Sequence, residues 1–377
     1  MRIGIDVSQI VYGTGVSRYT INLVENLISL FPENQYRLFF SSLRRNSKDF
    51  PKLKTSKNVI LKQFKFPLSF LEVLWNKLHV LDIERFIGQV DIFHSSDWLQ
   101  PPARAKKITT VHDVSFLHFP DAFPKKIISN HKRKLFWVKK EADLILADSM
   151  ATKKDLLKLL NFDSQKIEVV YLGVEKRFFE KKDQKQKIAK IKQKHLIGDN
   201  YILSVGTLEP RKNLKTTLNS FRQLKKQPKN KHLQLVLAGK MGWGESIKNS
   251  FQDLPKNSVI ITGFVDDLDL PYIYQGARCF VYPSLYEGFG LPVLEAMASG
   301  CPVVTSDSSS LAEISGKAAL TINPRNSDKI ALAVNSLLEN NNLWKKMSIL
   351  GKKQAGLFTW EKTCRKTMSL YERLVNS

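Results

Sequence analysis

Apolar runs short enough for buried strands alternate along this chain with stretches whose apolar residues recur at helical spacing. The first run, Arg2-Ile3-Gly4-Ile5-Asp6-Val7, leads through Gly13-Thr14-Gly15 to Val16, Tyr19, Leu23 and Leu27, spaced as on one face of a helix. A strand, a glycine turn and an amphipathic helix open a doubly wound α/β unit. Further strands are predicted at Tyr36–Phe40, Val59–Phe64, Val90–His94, Ile108–His112, Leu144–Ala147 and Ile167–Tyr171. The rhythm resumes at Tyr201–Val205, Leu233–Ala238, Val259–Thr262, Cys279–Tyr282, Val303–Thr305 and Leu320–Ile322, and a last helical region follows Thr359. Helical patterns between the strands imply mostly parallel sheets. Between the two series, Glu180 to Lys194 is dense in Lys and Gln and poor in apolar residues, as a domain boundary should be.

The pattern is most sharply punctuated in Val281–Gly300. A short strand (Phe280, Val281, Tyr282) gives way to a loop with Gly288 and Gly290, then to a helix with Pro292 in its first turn and Gly300 past its end. Glycines leave the backbone open to a ligand, and the helix's first N–H groups suit an anion. Glu287 at the loop and Glu295 on the helix can look toward one crevice; alternatively, Glu287 is a solvated carboxylate and Glu295 a partner of the helix dipole.

The run Glu287 to Glu295, E-G-F-G-L-P-V-L-E, resembles the Glu-X7-Glu signature of retaining glycosyltransferases of family 4 (group 1). GTLEPRKNL (Gly206 to Leu214), LAGK (Leu237 to Lys240), ITGFV (Ile261 to Val265) and SSLAEISGKAAL (Ser309 to Leu320) resemble that family in the same order, closest to its mannosyltransferase-like members. The resemblance implies an α/β GT-B fold, two Rossmann-like domains facing across a cleft. Residues 1–182 would bind the acceptor, 183–358 the nucleotide sugar, and 359–377 would form a helix crossing back to the N-terminal domain. It implies transfer of a hexose, mannose from GDP-mannose first, to a glycan or lipid-linked acceptor in cell-surface polysaccharide biosynthesis.

At 377 residues the chain has room for two domains, and 43% hydrophobic residues mark it as globular. No apolar run approaches the roughly 18 residues of a membrane span, and Met1 leads straight into a strand, so a cytoplasmic protein is expected. Three cysteines, Cys279, Cys301 and Cys364, show neither zinc nor disulfide spacing and are assigned to packing. The net charge of +24 draws the protein toward anionic surfaces or phosphorylated substrates. Two stretches concentrate the question. Phe64 to Leu81 is aromatic-rich (Phe66, Phe70, Leu71, Leu74, Trp75, Leu78) and follows Arg44, Arg45, Lys48, Lys52, Lys54, Lys57 and Lys62; Lys125 to Lys140 carries seven Lys or Arg and no acid. The first reads as a core helix ahead of a membrane surface. The second reads as a basic amphipathic face for anionic lipid, peripheral at the inner membrane face, or for a phosphorylated acceptor, or as a solvated one.

The chemistry follows from strand ends, where open α/β sheets collect ligands. Arg211 and Lys212, after Tyr201–Val205, suit the charge of a diphosphate leaving group. His112 closes another strand; family position assigns it to the transferred sugar, while Asp113 beside it also fits a turn cap. By resemblance, His112, Glu287, Arg211 and Lys212 are the catalytic set, and Gly15, Gly206, Gly239, Gly263, Phe264, Val265, Gly288, Phe289, Gly290, Leu291 and Glu295 bind the donor, Glu295 at the ribose. The GxG at Gly13 lacks the third glycine of a dinucleotide fingerprint, since Arg18 stands there. Asp267-Leu268-Asp269 has the form of a metal motif but reads as a helix start, so no metal and no cofactor is expected. An epimerase or phosphorylase on the same fold is the nearest competing enzyme. A basic nucleic-acid-binding protein is the competing non-enzyme, though no recognition motif accompanies the charge.

Overall fold

The computed structural model describes residues 1–45, 57–180, 184–242 and 250–377. Contacts divide the chain into two units: Met1–Gly173 with Thr359–Ser377, and Val174–Phe358. The boundary expected at 182/183, and Lys48, Lys52 and Lys54 of the basic stretch, lie outside the described residues.

In the first unit the described strands are β1 (Arg2–Asp6), β2 (Gln35–Ser41), β3 (Val59–Phe64), β4 (Ile92–Ser95), β5 (Lys106–Val111), β6 (Leu144–Ala147) and β7 (Ile167–Val169). They form one sheet in the order β3-β2-β1-β4-β5-β6-β7, every pair parallel. All four residues of β4 and of β6 are buried, as expected of strands covered on both faces. The helix Gly15–Leu30 starts where Thr14 accepts from the Ser17 N–H and Ser17 returns a bond to the Thr14 backbone. It buries Tyr19, Leu23 and Leu27. The C-terminal helix Trp360–Val375 packs on it within the same unit, and its Tyr371 OH lies 2.6 Å from His94 Nδ1 on β4.

The second unit repeats the plan with β8 (Tyr201–Val205), β9 (Gln234–Ala238), β10 (Val259–Gly263), β11 (Cys279–Tyr282), β12 (Val303–Ser306) and β13 (Leu320–Ile322), again parallel, in the order β10-β9-β8-β11-β12-β13. Its core joins Phe221 and Leu218 of one covering helix to Leu235, Val281 and Val334. The Lys/Gln-rich stretch contains a helix, Gln184–Lys194, whose Ile191 is buried and which packs on the helix Leu270–Gly276. The α/β class with two parallel sheets is the one the pattern predicts. In each sheet the strand order reverses once, between β1 and β4 and between β8 and β11, and those reversals are where such sheets open a crevice.

Three sequence expectations change. His112 lies just beyond β5, whose pairing ends at Val111, and β4 starts at Ile92 rather than Val90. The Phe64–Leu81 segment divides: Leu71, Leu74 and Trp75 are buried in a short helix and π-helical turn, while Phe70, Val73, Leu78, Val80 and Leu81 are exposed. The helix Lys125–Glu141 is basic on most of its surface, but Lys134 points inward and is only 1% exposed, because it shares a face with Leu135 and Val138. It therefore belongs neither to a solvated face nor to a lipid-facing one.

Candidate active site

The loops after β8 and β11 meet because those strands are neighbours. Glu287 is the centre of the meeting. Its Oε1 accepts from Lys212 Nζ (2.6 Å), Tyr282 OH (2.9 Å) and Ser284 Oγ (2.7 Å), and its Oε2 from Arg211 Nη1 (3.0 Å). Lys212 also donates to Tyr282 OH (2.6 Å), and Arg211 Nε lies 2.6 Å from Glu209 Oε1. Burial pushes the Glu287 carboxyl up, but Lys212 and Arg211 outweigh it and hold it at about 2. The Lys212 ammonium is shifted down, by burial first and by the neighbouring guanidinium second. Glu287 is thus a fully engaged counter-ion rather than a solvated loop carboxylate.

Backbone shape fixes this cluster. Gly290 caps the helix Leu291–Ala298 at φ 106°, and a Cβ there would lie 2.5 Å from Leu311 Cδ2. At Gly239 a Cβ would come within 1.9 Å of the Gly206 carbonyl oxygen, so the ends of β8 and β9 close on each other only without side chains. Gly206 adjoins the Lys212 side chain, and Gly239 N–H donates to Gly263 O at 2.9 Å. Beyond Gly263, Val265 is buried while Phe264 is exposed, with Lys240 Nζ 4.8 Å from its ring centroid. Gly288 and Phe289 are buried, and Leu291 is half-buried. Glu295 stands apart from the Glu287 network: it is 1% exposed, and its Oε2 accepts from Tyr274 OH at 3.1 Å. Asp269 pairs with Lys194 at 2.6 Å, and Asp266 Oδ1 accepts the Leu268 N–H, so the acidic run is tied into its own turn.

In the first unit, His112 Nδ1 lies 2.6 Å from Asp148 Oδ2, and both side chains are nearly buried. Burial alone would lower the imidazole, yet the charge and hydrogen bond of Asp148, with Asp97 behind, raise it. The pairing fixes Nδ1 and leaves Nε2 turned away from Asp148. Tyr19 packs edge-on against the His112 ring at 4.6 Å and shares Thr110 with His94, which burial holds neutral at about 3. Asp113 caps a turn, its Oδ1 accepting from the Ser115 N–H and hydroxyl. Gly15, exposed, opens its helix with nothing within 4 Å of a Cβ built on it.

The structure therefore joins Arg211, Lys212 and Glu287 directly and sets Gly206 beside Lys212, with Gly239 and Gly263 following it from strand end to strand end. Sequence reasoning did not single out Glu209, Tyr282, Ser284, Tyr274, Asp148 or Asp97, and it counted Lys134 with Lys132 and Arg133 among the lipid-facing cations, where its 1% exposure excludes it.

The family described as glycosyl transferases group 1 matches residues 180–354, and that described as Glycosyltransferase Family 4 matches residues 13–178. O-antigen chain mannosyltransferase B of Escherichia coli is 31% identical over 286 residues, 75% of this chain and 74% of that protein. O-antigen chain mannosyltransferase RfbU of Salmonella typhimurium is 32% identical over 59% of this chain and 58% of its own. Anabaena Alr3699/HepE in complex with UDP and glucose matches with a TM-score of 0.76 at 16% identity, over 99% of this chain and 100% of its own. Sucrose-phosphate synthase from Thermosynechococcus elongatus matches with a TM-score of 0.76 at 19% identity, over 99% of both chains. The GT-B fold is what these two structures share with this protein.

Proposed function

Because the chain belongs to the group 1, family 4 glycosyltransferases, we propose that it moves mannose from GDP-mannose, with retention, to a glycan or lipid-linked acceptor during cell-surface polysaccharide assembly. The observation that carries the donor half is the Arg211–Lys212–Glu287 network beside the start of the helix Leu291–Ala298. A nucleoside diphosphate leaving group gains negative charge as the glycosidic bond breaks. An Arg fork and a buried ammonium with one N–H left over are suited to that charge, and they are held in place before any ligand arrives. The sugar is taken from the relatives, two of which are named as O-antigen chain mannosyltransferases. A nucleotide of the same class is present in the Anabaena neighbour, there with uracil as its base.

Retention without a covalent intermediate fits the state of Glu287. Its carboxylate is ionised but accepts four hydrogen bonds, which spends the lone pairs an attacking nucleophile needs. Attack from the leaving-group face is the remaining route to a retained product. In this reading His112, fixed by Asp148, contacts the transferred sugar through Nε2.

A lipid-linked acceptor would bring the protein to a membrane, and no described helix is long and apolar enough to cross one. The π-helical turn Glu72–Lys77, which carries the exposed Val73 and is flanked by the exposed Phe70 and Leu78, packs on the helix Lys125–Glu141, whose Lys126 and Arg133 lie within electrostatic reach of Glu72. An apolar ridge with cations beside it supports shallow, salt-sensitive attachment to anionic lipid.

Calorimetry with GDP, UDP and ADP, followed by transfer of labelled mannose to a lipid-linked saccharide and anomeric analysis of the product, tests the proposal. GDP is expected to bind in preference to UDP, and the α-linked donor to give an α-linked product. Preference for UDP would replace the donor, and conversion of the nucleotide sugar with no acceptor present would make the protein an epimerase. Co-sedimentation with anionic and neutral vesicles tests attachment, using Lys132→Glu with Arg133→Glu and leaving the buried Lys134 intact.

A further inference from the structure

Three polar atoms of the second unit close a triangle of hydrogen bonds. Lys212 Nζ donates to Tyr282 OH at 2.6 Å and to Glu287 Oε1 at 2.6 Å, and Tyr282 OH donates to the same Oε1 at 2.9 Å. All three side chains are nearly buried, Tyr282 at 1% exposed. The hydroxyl serves both neighbours because it keeps its proton: burial first, and the Glu287 charge second, hold the phenol well above its ordinary value. Two strands set its place. The Tyr282 ring stacks on Phe280 of β11 at 5.4 Å, and its carbonyl accepts from Thr305 Oγ1 of β12 at 2.9 Å.

An ammonium on a flexible stem turns about its last bond, so a single partner leaves its other two N–H groups without a fixed direction. A second partner fixes them all. Glu287 supplies one anchor and Tyr282 the other, which leaves the third Lys212 N–H with a set direction and no acceptor among the described residues. No side chain covers the triangle from the end of β8. Gly206 there adopts a φ of 140°, which disfavours any other residue, and a Cβ built on it would stand 3.7 Å from Lys212 Cε and 3.9 Å from Tyr282 OH.

We propose that Tyr282 is a positioning residue for the transfer reaction, its hydroxyl being the second anchor that aims the remaining N–H of Lys212 at the departing diphosphate. This rests on the reading of Arg211 and Lys212 as the partners of that leaving group. Charge grows on the leaving oxygen only as the glycosidic bond breaks, so an aimed donor contributes more to the transition state than to donor binding. The same hydroxyl bears on the charge of Lys212. Burial and then Arg211 lower this ammonium, while Glu287 and Glu209 oppose them. Removing an oxygen that accepts from the ammonium takes support from its charged form alone, so its midpoint falls further.

The test compares Tyr282→Phe and Lys212→Met with the wild-type chain. Phenylalanine keeps the stacking on Phe280 and the ring 5.1 Å from the ammonium, and deletes only the oxygen. Four readouts are taken: the thermal midpoint, affinity for GDP and UDP by calorimetry, steady-state transfer from whichever of GDP-mannose and UDP-glucose the wild type uses, and the pH titration of the Lys212 Cε resonance by NMR. Lys212→Met identifies that resonance by removing it. Tyr282→Phe is expected to melt near the wild type, to lose at least about tenfold in kcat and to change KM for the donor by less than about threefold. Its Lys212 midpoint is expected at lower pH than in the wild type. A merely structural hydroxyl would lower the thermal midpoint and leave the Lys212 titration where it was. The proposal is overturned if Tyr282→Phe turns over as the wild type does, if its loss lies in KM alone, if the Lys212 midpoint is unmoved, or if the variant melts far below the wild type. A wild type that binds neither diphosphate, or a Lys212→Met variant with wild-type affinity and turnover, would sink the donor reading and this proposal with it. An impaired Lys212→Met beside an unimpaired Tyr282→Phe would sink the proposal alone.

Discussion

In the second unit Glu287 accepts four hydrogen bonds, and Arg211 and Lys212 each lie against a carboxylate. In the first unit His112 has Asp148, but Asp97 and Lys134 have no hydrogen-bonding partner for their side chains. Asp97, His112 and the Glu287 network all lie just past the carboxyl ends of parallel strands, while Lys134 comes from a covering helix, so strand topology alone does not explain the contrast. Function does. A group that must stabilise charge as a bond breaks works best when its donors are already fixed, which a mutually paired network achieves. A group that must bind an incoming ligand works best when its valences are left for that ligand, at some expense to the empty protein.

The largest expected effect breaks the closed side of that contrast. Glu287 sits at about 2 in the fold, against an ordinary value of 4.5. A depressed carboxyl contributes stability that is present above its unfolded value and is lost as pH falls through the folded one. Here that is about 3 kcal/mol above pH 5, declining toward pH 2. Glu287→Gln is expected to lose roughly 3 kcal/mol in urea at pH 7, a loss that shrinks near pH 3, and at least about a hundredfold in turnover. A Gln variant as stable as the wild type at pH 7 would show that the network is not closed in solution.

Asp148 tests the paired histidine of the open side. Asp148→Asn is expected to lower turnover about a hundredfold while the fold persists, since His112 loses the partner that sets its tautomer. The sign of the pH effect differs from that of Glu287. His112 is raised in the fold, so its pairing stabilises below its unfolded value and is lost as pH rises through the folded one. Titration of the His112 ring by NMR should find its midpoint lower in the Asn variant; an unchanged midpoint would mean that the contact does not govern the imidazole.

The Asp148 pairing was within reach of the sequence. His112 and Asp148 each stand one residue past a strand end, and those strands pair Val111 to Ala147; adjacency of the two predicted strands would have brought the residues together. Arg211, Lys212 and Glu287 were legible because loop motifs carry them, and the strand–helix alternation gave both sheets. Lys134 was not legible, because a helix with seven basic residues shows no sign in one dimension of which cation faces inward. Asp97 needed the strand order, which places β4 at the reversal only once β2 and β3 have taken the far side of β1. Glu209 and Tyr282 were missed for a simpler reason: each lies in a run read for its neighbours, one as part of a loop motif and the other as strand.

A smaller effect separates the two glycine loops. Gly290 is left-handed and its Cβ position is filled by Leu311, so Gly290→Ala should destabilise by about 2 kcal/mol or more and displace the helix start beside Glu287. Nucleotide affinity should fall with it. Denaturation and GDP titration of the same sample check both, and retained affinity in a destabilised variant would detach the helix start from donor binding.

The smallest effect is expected at Gly15. No atom lies within 4 Å of a Cβ placed there, the residue shows no left-handed φ, and the helix start is already secured by Thr14 and Ser17. Alanine at this position removes freedom from the unfolded chain and places a better helix former in the first turn. Gly15→Ala should therefore leave stability unchanged or raise it by a few tenths of a kcal/mol. That makes it a clean probe of the open site, because any change in turnover reads a ligand and not the fold. If a ligand approaches this backbone, the methyl group should raise KM for that ligand alone, while the melting temperature stays level. A loss of more than about 1 kcal/mol would show instead that the loop is as tightly set as Gly290, and the distinction between a closed site and an open one would fail at the residue where it is easiest to see.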